Sequence, residues 1–180
     1  MAEWFTSDLH FGHANVIKYC NRPFDSVEQM DIELMHRWNR LIRPHDTVYI
    51  LGDFSLCNKS RRKEIVSSLK GNKVLVRGNH DGDALDCKNV FDFVCERVTI
   101  RLAKKLNVEM CHFPYEPIDE RLHEKHPQDR GNFLLHGHVH QHWKQKGRQI
   151  NVGVDVWDYN PVSKDEILRL IQLATNPVSE

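Results

Sequence analysis

Residues 26–53 read SVEQMDIELMHRWNRLIRPHDTVYILGD, and this stretch joins a helix pattern to a strand pattern that ends in a polar residue. Ser26 and Gln29, three positions later, form a capping motif. Apolar side chains then recur at helical spacing and form one stripe: Val27, Met30, Leu34, Trp38 and Leu41. The pattern predicts a helix from Ser26 to Ile42. The β-prone run TVYIL then predicts a strand that exits into Gly52-Asp53.

The alternation of strand and helix patterns continues on both sides of this stretch. EWFTS precedes it as a β-prone run, and KVLVR, NVEMC and NFLLH follow as further candidate strands. A second helix is predicted from Ser60 to Leu69, ended by Gly71, and Ser163 with Glu166 caps a third. The third helix carries Ile167, Leu170, Ile171 and Ala174 on one side. A long loop is predicted from Pro114 to Asp129, and the alternation as a whole indicates an α/β fold.

The composition indicates one globular domain over residues 1–180, because 40% of the side chains are hydrophobic. The 25 basic and 25 acidic side chains cancel, so no global field favours nucleic acid or an anionic membrane. The five cysteines form no CxxC pair, which indicates reduced thiols in the cytoplasm. Neither a signal peptide nor a membrane-spanning stretch is evident, so we expect no membrane partner. The sequence does not predict an oligomeric state.

Polar, ligand-type residues follow each of the five predicted strands. The exits read Ser7-Asp8-Leu9-His10, then Gly52-Asp53, Gly78-Asn79-His80-Asp81, His112, and His136-Gly137-His138-Val139-His140. In open α/β sheets, sites form beyond the carboxyl ends of the strands, so we expect these exits to converge. A mixture of carboxylate, amide and imidazole suits a borderline divalent transition metal better than Ca²⁺. About seven candidate ligands leave room for two ions.

Each of these exits also has a structural interpretation. Asp53 after Gly52 could be only a turn residue, and Asn79 could simply tolerate a left-handed backbone. His136 is interpreted as a core residue or as one that supports a ligand. The remaining unpatterned histidines are interpreted as surface or loop residues: His36, His45, His123, His126 and His142. The order of the exits, each at a strand end, favours the metal site over these readings.

The ordered motifs DLH, GD, GNHD, a lone histidine and GHVH resemble those of the calcineurin-like metallophosphoesterase superfamily, from about Trp4 to Trp157. The resemblance implies a four-layer α/β/β/α sandwich with a central mixed double sheet and a two-metal centre. It implies that Asp53 bridges both ions and that His80 contacts the substrate phosphate. The other ligands are implied by position: Asp8, His10 and His140 for the first ion, and Asn79, His112 and His138 for the second.

Such a centre predicts a phosphomonoesterase or phosphodiesterase. Two cations can bind phosphoryl oxygens while a metal-bridging hydroxide attacks phosphorus in line. His80 could protonate the leaving oxygen. Asp81 could orient His80 or cap the following turn, and the sequence leaves both readings open. Mn²⁺ is the expected metal, with Fe, Zn or Ni as alternatives, because supply matters as much as ligand preference.

Departures from the family motifs narrow the substrate class. Ser/Thr protein phosphatases carry the motif GDxVDRG followed by GNHE. This chain reads GDFSLCNK and GNHD at the similar positions, which disfavours a protein phosphatase. Substrate phosphate could instead bind His13, Asn15, or the basic run Arg61-Arg62-Lys63 with Lys59, although a solvated helix face is the favoured reading of that run. SDLHFGHANVI and NVGVDVWDYNPV are similar to stretches of a compact group of bacterial and viral members.

Three functional hypotheses follow. A metal-dependent phosphoesterase acting on a small phosphoester such as a nucleotide fits the complete set of ligand positions. A nuclease acting on DNA or RNA would need a basic, aromatic-lined groove, and the sequence offers only scattered tryptophans. A non-catalytic scaffold would be expected to have lost ligands, and none is missing from the motifs.

Overall fold

The computed structural model describes residues 1–82, 87–116 and 124–176, which form two five-stranded sheets. The first sheet has the order β10-β1-β2-β3-β4, with β1 Glu3–Thr6, β2 Thr47–Ile50, β3 Asn72–Val76, β4 Phe93–Cys95 and β10 Val162–Ser163. The second has the order β5-β6-β7-β9-β8, with β5 Arg97–Ala103, β6 Leu106–Cys111, β7 Phe133–His136, β8 Gln145–Lys146 and β9 Gln149–Asn151. The five predicted strands are confirmed as β1, β2, β3, β6 and β7.

Both sheets are mixed. In the first, β1 to β4 run parallel and β10 pairs antiparallel with β1. In the second, β6, β7 and β9 are parallel, while β5 and β8 pair antiparallel with their neighbours. Parallel strands place their carboxyl ends at one edge, so the loops after β1, β2 and β3 lie at one edge of the first sheet, and those after β6 and β7 at one edge of the second.

The helices are α1 Ala14–Tyr19, α2 Val27–Leu41, α3 Lys59–Ser68 and α4 Lys164–Thr175, with a 3₁₀ turn at Val154–Val156. The predicted Ser26 and Ser163 caps are confirmed, because Ser26 Oγ accepts from the Gln29 N–H and Ser163 Oγ from the Glu166 N–H. The second helix begins one residue earlier than predicted, since Asn58 caps it through the Arg61 N–H. Ala174, predicted on the buried side of α4, is exposed.

Two main buried clusters hold the sheets and helices together. Met30, Leu34 and Trp38 of α2 pack with Val48 and Leu75 of the first sheet, which buries the predicted apolar stripe. A second cluster joins apolar side chains of both sheets to those of α4: Phe5, Leu51, Val76, Val108, Met110, Leu135, Ile150, Ile167 and Ile171. The paired mixed sheets with flanking helices confirm the predicted α/β sandwich.

Four further predictions concern a loop, the basic face of α3, membrane spans and the cysteines. Of the loop predicted from Pro114 to Asp129, residues 117–123, including His123, lie outside the described residues. The basic side chains near the start of α3 are exposed or half-buried, consistent with the favoured solvated face. Within the described ranges, every helix is too short or too polar to span a bilayer. Among the residues that the structure describes, no two cysteines are joined by a disulfide.

Candidate metal centre

The loops after the strands adopt an unusual backbone conformation at most of the predicted ligands. Five of the seven have a positive φ: Asp8 55°, His10 53°, Asp53 54°, His138 70° and His140 47°. Residues other than glycine rarely occupy this region, and strained conformations of this kind concentrate at functional sites. The first two loops are held together by backbone hydrogen bonds, from the Asp8 N–H to the Gly52 carbonyl and from the His10 N–H to the Asp53 carbonyl.

Asp53 lies between histidines that come from the two sheets. Its Oδ2 is 3.6 Å from Nε2 of His10 and 3.5 Å from Nε2 of His112. Its Oδ1 accepts a hydrogen bond from the His80 N–H at 2.9 Å. Burial opposes ionisation of Asp53, but His112 and His10 hold its pKa below the usual range. The carboxylate therefore lies between two imidazole nitrogens, one from the loop after β1 and one from the loop after β6.

Asp8 is fully buried and shared between two groups of possible ligands. Its carboxylate lies with His10 and His140 in one group, and with Asp53 and His112 in another, with the donor atoms of each group within 4.8 Å of one another. Both carboxylate oxygens also accept from the His138 N–H at 3.1 Å. Burial raises the pKa of Asp8, which favours a neutralising partner at this position.

The ring of His112 is fixed so that one nitrogen faces the carboxylates. Its Nδ1–H donates to the Leu51 carbonyl at 2.7 Å, which leaves Nε2 facing Asp53 and Asn79. Nε2 is 3.1 Å from Oδ1 of Asn79. Burial opposes the charged ring, yet the nearby Asp53 and Asp8 carboxylates raise the pKa of His112 to about 9. A backbone acceptor on one ring nitrogen is typical of a histidine that ligates a metal through the other.

His10 and His138 are held neutral. Burial lowers the pKa of each to about 3, so both offer lone pairs at neutral pH. Nε2 of His10 is buried and has no hydrogen-bond partner among the described residues. His138 lies beside His112, with ring centroids 5.1 Å apart. A buried, unpartnered imidazole nitrogen beside two carboxylates is the observation that a bound cation would explain.

Two glycines permit the close approach of these loops. A Cβ at Gly137 would collide with Ser7 Oγ and the Asp8 carboxylate, and a Cβ at Gly78 would collide with Oδ1 of Asp53. Any other residue at either position would push a predicted ligand out of place. These close contacts therefore explain why GHVH and GNHD each begin with glycine.

His80 and His13 border the cluster on its open side. The exposed His80 ring lies 5.5 Å from that of His10 and 6.4 Å from that of His13. Nδ1 of His13 is 3.4 Å from Nδ1 of His10. Asn15 is exposed in the first turn of α1. His80 lies on the loop after β3, and His13 and Asn15 lie on the segment after β1. His80 and His13 are the two that lie beside a predicted ligand, His10.

The carboxylate of Asp81 joins two loops of the site, and the turn that follows it falls partly on residues 83–86, which lie outside the described residues. Its buried carboxylate accepts from the backbone N–H groups of Asp53, Phe54 and Gly78, at 2.8, 2.8 and 2.7 Å. It therefore fastens the loop after β2 to the loop after β3. Sequence reasoning missed this role because two of the three partners, the N–H groups of Asp53 and Phe54, lie 28 and 27 positions away.

Two other histidines occupy places near the ligands. His136 is fully buried at the end of β7, where its Nδ1–H donates to the Gly137 carbonyl and its ring packs on Trp143, which confirms the predicted core position. His126 was predicted to be a surface or loop residue, and it lies in a loop. Its ring is half-buried and lies 6.3 Å from the ring of His138, and its Nδ1–H donates to the Pro114 carbonyl. No pattern in the sequence marks His126.

Three further residues that sequence reasoning missed lie behind His140. Its Nδ1 is 3.1 Å from Oδ2 of Asp155, and Asp155 is paired with Arg22. The thiol of Cys20 lies within 4.8 Å of both His140 and Asp155. Burial opposes the charged imidazole, but the hydrogen bond to Asp155 raises the pKa of His140 to about 11. The stretch NVGVDVWDYNPV drew attention to this region without assigning Asp155 a role.

The arrangement agrees with a comparison to protein families. The model of the calcineurin-like phosphoesterase superfamily domain matches residues 1–161. The chain belongs to the calcineurin-like phosphoesterase superfamily. Membership indicates a hydrolase that acts on phosphoesters, and it implies divalent metal ions for which the side-chain clusters above are candidate sites.

The relatives within this superfamily carry no assigned activity in their names. An uncharacterized protein of Methanocaldococcus jannaschii is 34% identical, over 94% of this chain and 90% of that protein. The Gene 66 protein of Mycobacterium phage L5 is 35% identical, over 93% of each, and that of phage D29 is 32% identical, over 93% of this chain and 94% of that protein. These relatives are matched along nearly their whole length.

A solved structure supports the fold independently. The crystal structure of a protein of unknown function from Aquifex aeolicus has a TM-score of 0.75 and 31% sequence identity. The match covers 94% of this chain and 98% of that one. The two chains therefore share the superfamily sandwich from end to end of the matched region.

Proposed function

We propose that this protein is a dinuclear metal-dependent phosphoesterase that hydrolyses phosphodiester or phosphomonoester bonds. The observation that carries the proposal is the position of Asp53, with Oδ2 about equally far from Nε2 of His10 and of His112, at 3.6 and 3.5 Å. The proposed ligands are those implied by the family resemblance: Asp8, His10 and His140 for one ion, Asn79, His112 and His138 for the other, and Asp53 for both. Two bound divalent ions would polarise phosphoryl oxygens and lower the pKa of a water molecule enough to supply the nucleophile.

The chain's own groups divide the remaining tasks. Asp53 and Asp8 carry the negative charge that balances the cations, in a buried setting where electrostatic interactions are strong. Nδ1 of His112 and Nδ1 of His140 are each held by an acceptor, so their Nε2 atoms are oriented in advance. The ligand set therefore needs little rearrangement to bind metal.

His80 is proposed as the acid that protonates the leaving oxygen. It is exposed and reaches the open side of the cluster, while its own backbone N–H is tied to Asp53. An exposed imidazole at this position can donate a proton to the leaving oxygen of a bound phosphoester. His13, beside His10 and His80, is proposed to bind substrate phosphate, and Asn15 to contact the substrate farther from the metals.

A phosphoesterase is preferred over the other two hypotheses. Against a scaffold, each proposed ligand type is present and the buried Nε2 of His10 has no hydrogen-bond partner among the described residues. A nuclease remains the alternative, supported only by the basic side chains of α3, of which Arg61 pairs with Glu64 and Arg62 with Ser55. A single domain over residues 1–180, Mn²⁺ as the metal and a cytoplasmic location are part of the proposal.

The test uses metal-free protein prepared with a chelator. Hydrolysis of bis-p-nitrophenyl phosphate and p-nitrophenyl phosphate is measured after adding Mn²⁺, Fe²⁺, Zn²⁺ or Ni²⁺, with Asp53→Asn as the matched variant. We expect Mn²⁺ to restore activity to the wild type and not to the variant. Preference between the two substrates then assigns diesterase or monoesterase activity. Wild-type protein that binds two ions but hydrolyses neither ester, nor any nucleic acid, would support the scaffold hypothesis instead.

A further inference from the structure

Behind the predicted ligands lies a buried ion pair between Arg22 and Asp155. Arg22 Nε donates to Asp155 Oδ1 at 2.8 Å, and Nη2 donates to Oδ2 at 2.9 Å. The side chains of Arg22 and Asp155 are 0% and 2% exposed. Burying two charges is costly unless their geometry is good and their other hydrogen bonds are satisfied. The pair therefore needs a reason beyond general stability.

The remaining donors of Arg22 reach the loop that carries the first two predicted ligands. Nη2 donates to the Asp8 carbonyl at 2.7 Å, and Nη1 donates to the Leu9 carbonyl at 3.1 Å. Asp8 and His10 on this loop both have positive φ. Two charge-assisted hydrogen bonds to consecutive carbonyl groups hold a strained backbone in one conformation.

The second partner of the pair reaches the other side of the same site. Asp155 Oδ2 accepts from His140 Nδ1 at 3.1 Å. This bond occupies Nδ1 and leaves Nε2 as the ring nitrogen available to a metal, and His140 forms a compact donor group with Asp8 and His10. A carboxylate behind a ligating histidine both orients the ring and increases its basicity.

We propose that Arg22 and Asp155 are positioning residues for one of the two metal ions. Arg22 holds the backbone at Asp8, Asp155 holds the ring of His140, and their ion pair fixes the two ligand-bearing segments relative to each other. The inference rests on the proposed function, because it assigns these residues to the ion bound by Asp8, His10 and His140. The other ion is held by groups that neither residue contacts.

A different reading makes Cys20, His140 and Asp155 a metal site of their own, since their donor atoms lie within 4.8 Å of one another. Both Asp155 oxygens, however, already accept hydrogen bonds from Arg22. A metal on Asp155 would be repelled by the buried guanidinium of Arg22, whose nitrogens lie 2.8 and 2.9 Å from the two carboxylate oxygens. The positioning role brings no second cation to this carboxylate.

The test compares Asp155→Asn with Asp46→Asn. Asp46 is also buried and accepts hydrogen bonds from the Ala2 and Arg43 N–H groups and from Trp4 Nε1, but it contacts no predicted ligand. Both variants remove a buried carboxylate, so both are expected to lower the melting temperature. Mn²⁺ titration by calorimetry on the metal-free proteins gives the stoichiometry and the affinity of each ion.

For Asp155→Asn we expect one of the two Mn²⁺ ions to bind about 10- to 100-fold more weakly, with the other unchanged. Asp46→Asn should bind both ions like the wild type. If Asp155→Asn does not fold, Arg22→Lys is titrated with Mn²⁺ in the same way. This variant keeps the positive charge but loses the two-fold contact with Asp155, so the same single ion should bind more weakly.

Three outcomes would overturn the inference. Wild-type affinity for both ions in Asp155→Asn and Arg22→Lys would reduce the pair to a structural role. Equal weakening of both ions in Asp155→Asn, or the same weakening in Asp46→Asn, would attribute the effect to general destabilisation. If the wild-type protein binds no divalent ion, both the proposed function and this inference are contradicted. If it binds two ions and the variants bind both like the wild type, only this inference is contradicted.

Discussion

The carboxylate of Asp81 accepts a hydrogen bond from the backbone N–H of Asp53 at 2.8 Å, so one buried acidic residue holds another. The same carboxylate accepts from Phe54 and Gly78, which fastens the loop that carries Asp53 to the loop that carries Asn79 and His80. The predicted bridging ligand therefore owes its position to a residue that does not face the substrate.

Asp81→Asn should lower both stability and activity. An asparagine offers one acceptor oxygen where the aspartate uses two, so at least one backbone N–H of Asp53, Phe54 or Gly78 loses its partner. Hydrogen bonds to charged groups contribute about 1.5–3 kcal/mol, and we expect a loss of that size in the free energy of unfolding. Urea denaturation measures it, with Asp129→Asn as the control because Asp129 pairs with Arg148 at the surface. Equal stability of the two variants would contradict this role for Asp81.

Asp53→Asn should reduce activity more than Asp8→Asn. A carboxylate shared by two ions neutralises charge on both and maintains their separation, whereas a terminal ligand serves one. We expect the Asp53→Asn loss to exceed about 100-fold, the upper range for residues that only support a ligand. Steady-state hydrolysis of bis-p-nitrophenyl phosphate is measured together with metal content. Equal and mild losses with unchanged metal content would rule out the two-metal reading.

His80→Ala should leave metal binding near the wild type and slow the reaction in a way that depends on the leaving group. For alkyl phosphoesters, whose leaving groups need a proton, we expect kcat to fall by about 10²- to 10⁴-fold. The loss should be much smaller with p-nitrophenolate, which departs unprotonated. A uniform decrease for both substrates would show that His80 does not act as the acid. It would indicate instead that His80 stabilises charge on the phosphoryl oxygens. Lost metal would mean that His80 is itself a ligand.

Metal binding should release protons and strengthen as the pH rises. The nearby carboxylates raise the pKa of His112 to about 9 although burial opposes it, and the Asp155 hydrogen bond likewise raises that of His140 to about 11. Groups with raised pKa values hold protons at neutral pH, and a cation must displace them before it can bind. Calorimetry in buffers of different ionisation enthalpy counts the protons released. Identical Mn²⁺ affinity at about pH 6 and about pH 8, with no proton release, would contradict the expectation.

The sequence alone was sufficient for the features that depend on neighbouring residues. The Ser26 and Ser163 caps and the stripe that includes Trp38 were predictable because their partners lie within a few turns of the same helix. The order of polar strand exits likewise indicated a common site, since parallel strands end at the same edge. The approach of Asp53 to 3.5 Å from His112 does not follow from this rule, because the two residues come from different sheets.

Only the tertiary structure decided which side chains support the site. Arg22 and Asp155 are separated by 133 positions, and nothing local to either residue predicts their pairing. The role of Asp81 and the approach of His126 to His138 depend in the same way on contacts between separate loops. Periodicity and caps report interactions along the chain. Contacts between distant loops are set instead by the packing of the sheets that carry them.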